Sequence, residues 1–89
     1  MIKHLRISVS GKVQNVGFRF HTRKTAQDMG IHGYVSNLPD GSVLIRAEGE
    51  EDNLDRFVEW CRQGPSWAEV TRLEVNEEPP EGLKDFQIR

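Results

Sequence analysis

Nine consecutive residues, Gly11-Lys12-Val13-Gln14-Asn15-Val16-Gly17-Phe18-Arg19, join a segment of alternating polarity to one of helical periodicity. At a strand-to-helix junction the backbone N–H groups point outward together. The helix start adds partial positive charge, so an anion is welcome there. Arg19 contributes a full charge and a fork of N–H donors that matches phosphate oxygens. The chemistry predicted is phosphate binding. Glycines in such a turn are also often purely structural, so spacing alone leaves both readings open. The segment is not a Walker loop, because no Gly-Lys-Ser/Thr follows, and its glycine spacing does not fit the dinucleotide fingerprint. Cys61 falls on the apolar face of a predicted helix with no loop of oriented amides after it, and is expected to be a buried core thiol. His4, His21 and His32 fall on different elements without a cysteine or carboxylate cluster. They are expected on the surface or a sheet face, and neither a metal nor a cofactor is expected.

The elements that must position these residues are legible from periodicity. Leu5, Ile7 and Val9 alternate with Arg6, Ser8 and Ser10, which predicts a half-buried strand running into a loop over 11–17. Phe18, Thr22, Thr25, Ala26 and Met29 share one helical face, predicting a helix over about 20–29 that Gly30 ends. Gly33 to Ser36 predicts a short strand. Leu38-Pro39-Asp40-Gly41 predicts a turn, and Val43, Ile45 and Ala47 predict a third strand paired with the second. Leu54, Phe57, Val58 and Cys61 recur at i, i+3, i+4 and i+7, predicting an amphipathic helix over 51–63 that Gly64-Pro65 stops. Val70, Leu73 and Val75 predict a fourth strand, 77–82 a surface connection, and Phe86 and Ile88 a short final strand. Trp60 and Trp67 flank the Gly-Pro break and are expected to pack locally.

The order β-α-β-β-α-β, with a fifth strand, predicts an α+β, ferredoxin-like sandwich in which two helices cover one face of an antiparallel sheet. This connectivity brings the loop after strand one and the end of strand two to one edge, so residues 11–19 and 36–41 are expected to be neighbours. The chain has 89 residues, which is room for one domain and one modest core, and residues 1–89 are read as a single domain. Hydrophobic residues are 36%, charged residues 29% and the formal net charge is −2, a globular profile without the basic excess of a duplex binder. The single cysteine excludes an internal disulfide and fits a reducing compartment. No stretch approaches the roughly 20 apolar residues that span a bilayer. A cytoplasmic monomer without membrane or nucleic-acid partners is expected.

The nine-residue segment also resembles the signature of the acylphosphatase family, glycine-x-valine-glutamine-glycine-valine-x-phenylalanine-arginine. The segment Gly33-Tyr34-Val35-Ser36-Asn37-Leu38-Pro39-Asp40-Gly41-Ser42-Val43 resembles that family's other signature. Two signatures in the right order, in a chain of the expected length, are far more specific than either alone. The resemblance implies that Arg19 binds the substrate phosphate and that the amides of Asn15, Val16, Gly17, Phe18 and Arg19 form the phosphate-binding loop. It further implies that Asn37, by itself an ordinary turn asparagine, positions the attacking water. Asn15 stands where the family usually has glycine. Asparagine tolerates the left-handed conformation best after glycine, so the cradle is expected to form, with weaker phosphate binding or slower turnover.

The implied activity is metal-independent hydrolysis of small acyl phosphates to a carboxylate and inorganic phosphate. The leaving carboxylate, whose conjugate acid has a pKa of about 4 to 5, departs without a general acid. No side-chain pocket for the acyl group is legible, so broad specificity is expected. The alternative is a non-catalytic phosphate- or nucleic-acid-binding module of the same fold. RNA-binding versions of this topology stack bases on sheet aromatics, and Ser42 to Gly49 contains none.

Overall fold

Alternation in Leu5, Ile7 and Val9 puts one face of strand β1 (Ile2–Lys12) against the core, in a computed structural model that describes residues 1–89. The remaining elements are α1 (Phe18–Asp28), β2 (His32–Asn37), β3 (Val43–Glu50), α2 (Glu51–Gln63), β4 (Glu69–Glu78) and β5 (Phe86–Ile88). They form one five-stranded sheet in the order β4-β1-β3-β2-β5. Both helices pack on one face, which is the α+β ferredoxin-like sandwich expected. The first four strands pair antiparallel, but β5 pairs parallel to β2, so the sheet is mixed rather than antiparallel. The cause is topological: β4 and β5 lie on opposite edges, and the chain between them crosses the sheet instead of turning back.

Several bounds differ from expectation. Helix α1 starts at Phe18, two residues early, because Gly17 in the left-handed region (φ 75°) is already its cap. At the other end Gly30 is left-handed (φ 69°) as predicted. Ile31 N–H donates to Ala26 O at 2.8 Å and Gly30 N–H to Gln27 O at 3.2 Å, the paired bonds of a Schellman cap. Strand β1 runs on to Lys12, where a loop was expected, through a register shift between Ser10 and Gly11. A Cβ on Gly11 would lie 2.1 Å from Glu69 O, so this glycine serves strand pairing rather than the turn. Strand β4 continues to Glu78, through the start of the expected connection.

The core joins Ile7, Val9, Val13, Phe18, Ile31, Val35, Ile45, Leu54, Phe57 and Phe86 among others. Trp60 bridges the two helices, with ring centroids 5.8 Å from Phe18 and 6.3 Å from Phe57. Trp67 does not pack locally as expected: it is 77% exposed. Cys61 is buried, and that burial pushes its thiol far above the ordinary range, consistent with an inert core residue.

The face away from the helices carries a second anchor. His4 and Glu48 pair across β1 and β3; His4 lies on a sheet face, one of the two places expected for it, and both residues are buried there. They are covered by the crossing segment 79–85. The Glu48 carboxylate accepts N–H bonds from Glu81, from Gly82 at 3.1 Å and from Leu83 at 2.9 Å, and contacts His4 Nδ1 at 2.7 Å. Burial opposes ionisation of Glu48. The N–H of Glu81, the His4 ring and the N–H of Leu83 together outweigh it, and the carboxyl sits below its ordinary range.

Candidate active site

Valines fix the loop between β1 and α1. Val13 is buried and Val16 is half-buried against the core, which turns Asn15 and Gly17 outward. Asn15 adopts φ 62°, the one non-glycine residue of the chain with positive φ, so it takes the conformation expected of it. Gly17 follows at φ 75° and accepts the His21 N–H at 3.1 Å, which starts the helix. The N–H groups of the first turn have no helical partners. The first turn of α1 carries no acidic residue, whereas that of α2 carries Glu51 and Asp52. The positive end of the α1 dipole is therefore left uncompensated, and Arg19 adds to it.

A cavity of about 190 Å³ opens at this helix start. It is lined by Val13, Asn15, Gly17, Phe18, Arg19, Phe20 and Ile88. Four of the expected loop residues thus meet around one space: Asn15, Gly17, Phe18 and Arg19. Val16 does not line it, and its side chain faces the core instead. Asn37 does not line it either. It stands at the last position of β2, and β1, β2 and β5 all run toward this end of the sheet. The Asn37 side-chain oxygen is buried without a hydrogen-bond partner. An unsatisfied buried acceptor costs roughly 1–3 kcal/mol unless an ordered water or a ligand meets it.

The edge shared by residues 11–19 and 36–41 is held by a residue to which the motif reading attached no role. Gln14 Nε2 donates to Leu38 O and to Ser42 O, each at 2.9 Å. Those carbonyls belong to the turn after Asn37. Ser42 O also accepts the Leu38 N–H at 2.9 Å, and the Asp40 carboxylate accepts the Ser42 N–H at 2.9 Å and its hydroxyl at 2.6 Å. The hydroxyl bond, and after it the backbone one, holds the Asp40 carboxyl below its ordinary range. Gln14 therefore ties the loop before α1 to the self-bonded turn that follows Asn37. Ile88 and Phe20 were also missed. Ile88 reaches the cavity only because β5 pairs with β2, which local periodicity does not encode.

The acylphosphatase sequence model matches residues 5–88. The chain belongs to the acylphosphatase family. An acylphosphatase of Thermotoga maritima is 50% identical over 88 residues, spanning 99% of this chain and 98% of that protein. Among solved structures, the Bacillus subtilis acylphosphatase superposes with a TM-score of 0.96 at 40% identity, covering 100% of this chain and 99% of that one. The Coxiella burnetii acylphosphatase gives 0.96 at 38% identity, covering 99% and 93%. Matches of this identity from end to end support acylphosphatase function, an enzyme rather than the binding-module alternative. No helix is long and apolar enough to cross a membrane.

Proposed function

We propose that residues 1–89 act as one domain that hydrolyses small acyl phosphates without a metal, with the phosphate seated in the cavity at the start of α1. The observation that carries the reading is that Asn15, Gly17, Phe18 and Arg19 line one cavity at an uncompensated helix N-terminus. Arg19 and the outward amides of 15–19 hold the equatorial oxygens of a loose phosphoryl-transfer transition state, which mainly needs holding and alignment. Asn37 orients the water. The water oxygen bonds to phosphorus as the bond from phosphorus to the carboxyl oxygen breaks. The electron pair leaves on the carboxylate, and the water's proton passes to phosphate or solvent. The products are a carboxylate and inorganic phosphate. The low basicity of the leaving group makes a general acid unnecessary. The enzyme works as a monomer in the cytoplasm, a setting that suits its single, buried, reduced thiol.

The test is hydrolysis of benzoyl phosphate in the presence of EDTA. Wild type turns over, and Arg19→Ala and Asn37→Ala each lose about a hundredfold or more in kcat/KM. Full activity in either variant removes the role given to that residue, and loss of wild-type activity to EDTA removes the metal-free mechanism.

A further inference from the structure

The cavity at the start of α1 has two chemically unlike walls. Asn15, Gly17 and Arg19 supply its polar lining, and Val13, Phe18, Phe20 and Ile88 its apolar lining; Val13 and Phe18 are buried, so the apolar wall open to a ligand is made by Phe20 and Ile88. Phe20 is 54% exposed on a helix whose other apolar residues face the core. An exposed phenylalanine alone means little. This one borders the same cavity as the neighbouring Arg19 and shares that border with an isoleucine delivered from the far end of the chain. Its ring is also held edge-on to His21, with centroids 5.3 Å apart and planes at 82°. We propose that this wall receives the acyl group, so that the enzyme favours acyl phosphates with an aromatic or branched apolar acyl group over small polar or charged ones. The proposal rests on the reading that phosphate occupies the polar wall. The carboxyl carbon is then one bond from that phosphate, and its substituent must leave along whichever wall remains. An aromatic acyl group there gains area removed from water and an offset or edge contact with the Phe20 ring. Broad specificity, expected from the sequence, gives way to a graded preference.

The experiment compares benzoyl phosphate with acetyl phosphate as substrates of wild type, Phe20→Ala and Phe20→Leu. In parallel, calorimetry compares binding of benzoylphosphonate with that of inorganic phosphate. Phe20 is half-exposed, so both variants fold. In Phe20→Ala the benzoyl-to-acetyl ratio of kcat/KM falls about tenfold, with most of it restored in Phe20→Leu. The phosphonate-to-phosphate affinity ratio falls in step. Ratios that ignore residue 20 overturn the proposal, whatever the absolute rates do. A wild type that hydrolyses neither acyl phosphate but prefers the phosphonate, with that preference lost in Phe20→Ala, refutes the hydrolytic reading and sustains the acyl wall.

Discussion

Gln14 makes its two hydrogen bonds to backbone carbonyls, so replacing it by alanine leaves both carbonyls of the turn without that donor. Each such bond contributes about 1 kcal/mol, so Gln14→Ala is expected to lose about 1–2 kcal/mol of stability. The functional effect should be larger than the structural one. If Asn37 orients the water as proposed, loosening the turn that follows it should lower kcat about tenfold or more while the Kd for inorganic phosphate moves little. Equal losses in kcat and phosphate affinity would mean that Gln14 shapes the loop rather than the turn. Asn15 offers the complementary case. Asn15→Gly keeps φ 62° accessible at lower cost and removes a side chain from the cavity wall, so phosphate should bind at least as tightly as in wild type by calorimetry. Arg19 stands out as a candidate from its residue type at a helix start, and Asn15 only through the resemblance to the family signature. Gln14 was not legible, because its partners are backbone carbonyls, which leave no mark in the sequence.

Helix α2 follows its expected bounds because four apolar residues recur on one face and Gly64 stops it. Strand β4 was read too short for the opposite reason. It is an edge strand, mostly exposed, and beyond Val75 it runs Asn76-Glu77-Glu78, three polar residues with no apolar alternation to mark its end. Charge along an unpaired edge disfavours templated strand pairing. Pairing between β1 and β4 depends on Gly11, at φ 122° with Glu69 O where a Cβ would stand. Gly33, at φ 151°, faces Arg46 O in the same way at 1.7 Å across the β2–β3 pair. Gly11→Ala and Gly33→Ala are each expected to cost at least about 3 kcal/mol, with the drop visible in thermal denaturation. Ala at Gly41, where nothing lies within 4 Å, should cost only the smaller penalty of its φ of 94°.

Across the whole molecule, Glu48 joins the crossing segment to the centre of the sheet. Its carboxyl is held below its ordinary range, so it contributes stability above the unfolded carboxylate value of about 4.3. That contribution is lost as pH falls through the lower folded value. Wild type should therefore lose Tm steeply on acidification below about pH 4, while Glu48→Gln starts lower at neutral pH and declines more gently. Parallel acid profiles for the two proteins would place the acid-labile group elsewhere. The long crossing could not be read locally, because Glu48 looks like any solvated strand residue until residues 81–83 close over it. Strand direction has a practical corollary. Strands β1, β2 and β5 all point the same way, so the last residue, Arg89, bonded through its N–H to Val35 O at 2.8 Å, stands at the end of the sheet that holds the cavity. Met1 stands at the opposite end of the sheet, just before the start of β1. A purification tag or fusion partner joined after Arg89 would emerge beside the cavity, and the same appendage ahead of Met1 would emerge at the far end of the sheet.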